Sequence, residues 1–332
     1  NLVMPSRRNY YSYFYAFNFD PKFDAEFQPE NWKIAVNNEN FRKSIMFGLD
    51  RVKVLSVSEP NNPDKQVMNT ITPPDFVDYE GTDYTQIGSL KDISSRDSFN
   101  ADEAKKYAQK AKDELKAKGA TFPVKILLPY NPSTSNWDKE SQVVEQQLEG
   151  LLGKDYIDVI PEAGPATGFL SAVRRSGKYA MMKCNWGPDY ADPETYTYPF
   201  IPKDKDGQGG GTYNWPEKVE GYTDADGNKT YSNLFYAAKA QTTDVKKRYE
   251  AFAEAEAFLV NHAFVIPYGF NNNGYKVDRL NPFESQFSPF GVSTLRYKGQ
   301  KLLEKPMSMD EFYAAEKKWR TEREEALKKA NQ

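Results

Sequence analysis

The chain has 332 residues, 39% hydrophobic and 27% charged, enough for a substantial core in one large domain or two ordinary ones. Its 44 basic and 47 acidic side chains leave a formal net charge of -3, which argues against nucleic acid as a partner because phosphate binding needs a basic surface. A single cysteine, Cys184, and a single histidine, His262, exclude an internal disulfide framework and a Cys/His zinc site.

Taken in chain order, the aromatic run from Tyr10 to Phe19 reads as a strand. Phe41, Ile45 and Leu49 share a helical face over residues 41–51, with an Asn before them placed to cap it. Residues 61–98 are rich in Pro, Asp, Ser and Gly, and Pro73-Pro74 predicts a long loop without regular structure. Asn100 to Lys118 is a helix with Ala104, Tyr107, Ala111 and Leu115 on its apolar stripe, stopped by Gly119. Strands at 124–128, 156–160 and 178–182 alternate with helices at 139–152 and 167–176, which predicts an α/β domain with at least partly parallel pairing.

Residues 201–228 are turn-rich. Asp204, Asp206, Asp224 and Asp226 lack the alternation and closing Glu of a calcium loop and read as solvated turns. A helix over 244–261 leads through His262, read as a packed or strand-edge histidine rather than a catalytic base, into a strand at 264–268. Residues 309–329 form a charged amphipathic helix with Phe312, Ala315, Trp319 and Arg323 along one side. No stretch approaches the ~20 apolar residues of a membrane helix. The chain opens Asn1-Leu2-Val3-Met4 without a signal peptide, and the missing initial Met suggests a processed or excised piece.

The most informative segment is Cys184-Asn185-Trp186-Gly187-Pro188-Asp189-Tyr190-Ala191-Asp192-Pro193. It is expected to follow a strand and break it with Gly and Pro, and loops leaving strand ends in α/β folds are where ligands sit. A Trp beside carboxylates can stack on a ligand and bind a cation. On residues alone, Asp189 reads first as a turn carboxylate capping its own loop, and Asp192 before Pro193 reads as structural.

Trp186-Gly187-Pro188-Asp189-Tyr190-Ala191-Asp192-Pro193 resembles a signature of the bacterial extracellular solute-binding proteins of family 5, the oligopeptide-binding kind. Further segments agree in the same order: Asn40 to Arg51, Ala101 to Gly119 with the strand at Val124, and Arg248 to Tyr268. The tail from Tyr297 to Lys329 is similar to extensions of Gram-positive members. The resemblance implies a periplasmic-binding-protein-like lobe (type II, cluster C) with a mixed sheet flanked by helices. In such proteins two lobes close on an extended peptide by a hinge. Residues 1–295 would be the carboxy-terminal ligand-binding lobe. Residues 296–332 would be a charged helical extension that packs on an amino-terminal lobe outside this sequence, leaving the chain with one jaw of the cleft.

The carry-over makes Asp189 the partner of the peptide ammonium, Trp186 a pocket wall, and the backbone of Asn185 and Gly187, with Pro188 and Tyr190, the surrounding contacts. Lys183 stands where some relatives carry an Arg that meets peptide carboxylates. The sequence departs from the family at Glu162-Ala163-Gly164-Pro165-Ala166, where an aromatic is common, so part of the wall is expected to differ. The implied role is the substrate-binding component of an ABC importer: a monomer that partners an oligopeptide and a membrane permease, without cofactor, metal or enzymatic activity. It would be lipid-anchored on the outer face of the cell envelope or periplasmic. Two other readings are an oligosaccharide ligand in the same family and a glycosidase using Asp189 with Asp192 or Glu194, whose carboxylates would need a separation of about 5 to 9 Å.

Overall fold

The computed structural model describes residues 2–6, 9–202, 210, 212–213, 216–220, 230–270, 274–284 and 299–330. The four aspartates weighed as a calcium loop lie outside the described residues. In chain order the strands are β1 (Met4–Pro5), β2 (Ser12–Phe17), β3 (Asp78–Tyr79), β4 (Thr82–Asp83), β5 (Val124–Tyr130), β6 (Ile157–Ala163), β7 (Met181–Trp186), β8 (Val265–Phe270) and β9 (Tyr275–Lys276). The helices that matter below are α1 (Pro29–Val36), α2 (Glu39–Gly48), α3 (Arg51–Leu55), α4 (Leu90–Ser94), α5 (Ala101–Ala117), α6 (Trp137–Leu152), α7 (Glu194–Thr197), α8 (Pro216–Glu220), α9 (Tyr231–Lys239), α10 (Val245–Asn261) and α11 (Met309–Ala330). Among the described residues no helix is long and apolar enough to cross a membrane. The chain divides into two units, one of Ser12–Trp186 with Asp192–Phe270 and one of Asn1–Tyr11, Gly187–Ala191 and Asn271–Gln332.

In the larger unit β2 is the middle of a three-stranded antiparallel sheet of order β7-β2-β8. Five of its six residues, Ser12 and Phe14 to Phe17, are buried, because helices cover what the flanking strands do not. β5 and β6 pair in parallel around α6, from Val124 opposite Ile157 to Tyr130 opposite Ala163, which is the expected α/β unit. The Ala180 N–H donates to the Leu127 carbonyl at 2.9 Å and ties the two sheets together. Both pairing senses of the expected mixed α/β lobe are therefore present, in adjoining sheets.

The predicted helix over 41–51 is two helices. The Asn38 side chain accepts from the Phe41 N–H at 2.8 Å and starts α2. Asp50 then accepts from the Lys53 N–H and starts α3, so an acidic cap interrupts what periodicity alone reads as continuous. Gly48 faces α6, where a Cβ would meet Leu148 at 3.3 Å.

The segment 61–98 is not the structureless loop expected from Pro73-Pro74. It holds a hairpin, β3 and β4, turned by Glu80 and Gly81 at φ 50° and 79°, the paired positive dihedrals of a two-residue hairpin loop. It also carries α4. Glu256 of α10, fully buried, accepts from the N–H groups of Ile71 at 2.6 Å and Thr72 at 2.9 Å and from the Thr72 hydroxyl at 2.6 Å. A long-range carboxylate supplies order that the local sequence does not advertise.

The expected histidine is structural. His262 ends α10, its Nδ1 lies 3.1 Å from Glu39 Oε2, its ring centroid lies 4.6 Å from that of Phe258, and its carbonyl accepts from buried Arg42.

In the smaller unit β1 pairs with β9, Met4 opposite Lys276. α11 opens with a capping box: the Glu311 N–H donates to the Ser308 hydroxyl oxygen, and the Glu311 carboxylate accepts from the Ser308 N–H at 2.8 Å. Phe312 is buried with Met4 and Met307, and Phe283 packs its ring 5.1 Å from Phe312 and 5.9 Å from Trp319. The apolar side of the terminal helix thus has partners inside this chain.

Candidate functional site

β7 runs over Met181–Trp186 rather than the 178–182 read from sequence, so Cys184, Asn185 and Trp186 belong to the strand rather than following it. They lie opposite Phe14, Tyr13 and Ser12 of β2. Ladder pairing decides where the strand ends, and it stops where Gly187-Pro188 removes a backbone donor. β7 is an outer strand, so beyond Met182 its second edge is unpaired with any strand among the described residues.

That edge borders a cavity of about 420 Å³. Lys183 and Asn185 line it from β7, two apart and therefore on one face. Trp137 and Phe169 close one side with ring centroids 5.3 Å apart. Phe169 is held by Gly164, where a Cβ would come within 2.7 Å of its ring. The Glu162–Ala166 departure thus leaves room for an aromatic supplied five residues later. The expected helix over 167–176 contracts to a π-helix, Leu170–Arg174, which turns Val173 and Arg174 inward. Short π segments recur at functional sites.

Lys183 is not a free cation. Its ammonium is ion-paired with the buried carboxylate of Glu140, which also accepts from the Ser58 hydroxyl at 2.6 Å. The ammonium lies 5.0 Å from the Trp137 ring centroid and 5.7 Å from that of Tyr268. Burial first, and the Glu140 charge second, raise the Tyr15 hydroxyl well above its ordinary range. Burial pushes the Cys184 thiol up to about 12 against the opposing pull of Arg174, so it is no nucleophile at neutral pH.

Trp186 stands edge-on to Tyr198 at 5.7 Å, and its indole N–H is buried without a hydrogen-bond partner. Gly187 to Tyr190 belong to the smaller unit. There a Cβ on Gly187 would lie 2.9 Å from the Tyr11 ring, which explains the glycine. Pro188 is buried, and Asp189 and Tyr190 are exposed.

Asp192 and Glu194 are structural, as read for Asp192. Arg248 clamps Asp192 through Nε at 2.8 Å and Nη2 at 2.9 Å, and reaches Glu194 at 2.7 Å. Burial alone would lower the Arg248 pKa, but these two carboxylates outweigh it and raise it. The glycosidase reading would draw one of its two carboxylates, Asp192 or Glu194, from this clamp, where Arg248 already holds both in place.

The residues the sequence reading missed are Arg174, Trp137 and Glu140. Arg174 and Glu140 lie in segments read as ordinary helix, and Trp137 lies two residues before the helix read at 139–152 but opens α6; only the fold brings them beside β7. The one available signal was an arginine in the otherwise small and apolar run Leu170-Ser171-Ala172-Val173.

Comparison with known proteins gives concordant results. The family described as bacterial extracellular solute-binding proteins, family 5 Middle, matches residues 1–208. The oligopeptide-binding protein AliB of Streptococcus pneumoniae is 27% identical over 361 residues, covering 100% of this chain and 55% of that protein. AliA of the same species is 30% identical over 331 residues, covering 92% and 50%. The chain therefore spans about half the length of these curated relatives. Among solved structures, the substrate-binding domain of an oligopeptide ABC transporter from Bacillus anthracis superposes with a TM-score of 0.65 at 19% identity, covering 91% of this chain and 51% of that one. Listeria monocytogenes OppA bound to peptide superposes with a TM-score of 0.63 at 21% identity, covering 90% and 50%. These likenesses establish the expected periplasmic-binding-protein-like α/β fold.

Proposed function

The chain belongs to the bacterial extracellular solute-binding proteins of family 5, and from that membership we propose that it is a ligand-binding lobe of the peptide-capturing component of an ABC importer. The observation that carries the reading is the outer strand β7, whose second edge, unpaired with any strand among the described residues, runs along a cavity up to Asn185. An extended peptide that adds to such an edge gains main-chain hydrogen bonds independent of its side chains.

In this reading Asn185 and Gly187 offer backbone groups to the peptide. Trp186 supplies a wall and a buried N–H that a peptide carbonyl satisfies, relieving a cost of about 1–3 kcal/mol. Asp189, exposed, pairs with the peptide ammonium, a charge-assisted contact that strengthens as water leaves. Pro188 and Tyr190 fix the turn and flank it. Lys183 acts through Glu140 as part of the floor, and meets a carboxylate only if that pair rearranges. Residues 1–295 form the lobe, and 296–332 extend toward the remainder of the two-lobed protein. The protein works outside the cytoplasmic membrane as a lipid-anchored or periplasmic monomer, hands its peptide to a membrane permease, and turns over no substrate. The same aromatics would suit an oligosaccharide, but the edge strand favours a polymer that carries its own backbone donors and acceptors.

The direct test is mass spectrometry of small molecules released from the full-length protein after purification under native conditions. Short peptides are expected, and oligosaccharides in their place would overturn the reading.

A further inference from the structure

Arg174 is 8% exposed, yet among the described residues its side chain makes no ion pair, and its Nε–H is buried without a hydrogen-bond partner. A guanidinium cannot shed its charge by deprotonation at any physiological pH. Burying it unpaired costs several kcal/mol, which proteins avoid unless something else brings the counter-charge. The nearest compensation is weak: its guanidinium carbon lies 5.6 Å from the Tyr213 ring centroid.

Arg174 lines the cavity beside β7. The basic side chains on that lining are Arg174, Arg175 and Lys183, and no Asp or Glu is among the lining residues. The three are not equivalent. Lys183 is neutralised by Glu140, and Arg175 is exposed and screened by solvent. Arg174 alone combines burial, an unspent donor and access to the cavity. Trp137, Phe169, Met182 and Cys184 give the cavity apolar walls, where a charge pair is stronger than in water.

We propose that this cavity is an anion-accepting subsite in which Arg174 is the specificity-determining residue, favouring peptides that bring an acidic side chain to it. The proposal rests on the peptide reading above and deepens it. The π-helix Leu170–Arg174 contributes by turning Arg174 into the cavity, where an α-helical turn would advance each residue by a different angle. A terminal carboxylate offers the same chemistry, and the test separates the two.

The experiment is calorimetric titration of the full-length protein with pentapeptides that carry Glu or its isostere Gln at each position in turn, each as the free acid and as the C-terminal amide. The expected result is one position at which Glu binds about tenfold more tightly than Gln in both terminal forms. In Arg174→Gln that preference disappears while the Gln peptides keep their affinity, and Arg174→Lys recovers part of it. Equal binding of Glu and Gln peptides at every position, a preference surviving in Arg174→Gln, or a dependence on C-terminal amidation alone would each overturn the proposal. Should Arg174→Gln fail to fold, the wild-type series and Arg174→Lys decide by the same criteria.

Thermal unfolding with glutarate distinguishes this proposal from its premise. If no peptide binds but glutarate protects the wild type, protects Arg174→Lys less and does not protect Arg174→Gln, the peptide reading falls and the anion subsite stands. If neither peptide nor glutarate has any effect, both fall.

Discussion

At the residue scale, the pair of Lys183 and Glu140 shows how a site residue acquires a different job from the one its position suggests. Both side chains are largely buried, at 13% and 6% exposure. Removing one partner strands the other, so Glu140→Ala should lower unfolding free energy by about 3 kcal/mol. The double substitution Glu140→Leu with Lys183→Met should recover most of that loss. Urea unfolding of the wild type, Glu140→Leu, Lys183→Met and the double variant measures the cycle, and additive losses would contradict it. Cys184 gives a second prediction. With its thiol raised to about 12 by burial, iodoacetamide at pH 8 should leave it unmodified in the native protein and alkylate it once the chain is unfolded. Labelling of the native protein would disprove the burial. At this scale the sequence was readable where chemistry is local, as in the Asn38 cap and the structural role of Asp192. It was opaque for Glu140 and Arg174, whose roles depend on partners 43 residues away and on a cavity wall assembled from separate segments.

At the scale of elements, α10 pins the 61–98 segment through Glu256. Burial raises the pKa of this carboxyl from the ordinary 4.5, and hydrogen bonds from Thr72 and Ile71 offset part of that effect. The folded state therefore holds the proton more tightly than the unfolded chain. The group's contribution to stability is fully present below 4.5 and is lost as pH rises through the raised value. Glu256→Gln does not titrate. The stability of the wild type relative to this variant should thus fall as pH is raised from 4 toward 7, as read by urea unfolding, and a gap that widens would contradict the burial. The same element explains what was illegible. The amphipathic helices α5 and α6 follow from apolar periodicity, because one face of each is buried, whereas α10, buried at every position from Ala255 to Val260, and β5, buried over 126–129, show as apolar runs. The ordered path into Pro73-Pro74 depends on a carboxylate 184 residues away from Thr72 in sequence. The true end of β7 depends on pairing with β2.

At the scale of the molecule, the chain spans about half the length of the curated relatives it matches. A cleft closed by two lobes divides its contacts between them, and a single lobe retains only part of the buried surface while bearing the same entropy cost of binding. This chain alone should therefore bind a given peptide on the order of 100-fold more weakly than the full-length protein, measured by titration of both; equal affinity would place the whole site within these residues. The central claim is that Asp189 grips the ammonium of a captured peptide. Its most direct test is calorimetric titration of the full-length protein, as wild type and as Asp189→Ala, with one pentapeptide and its N-acetylated twin. The account predicts that Asp189→Ala and acetylation each cost about 2–5 kcal/mol and that together they cost little more than either alone. Equal binding of the two peptides to the wild type would contradict it.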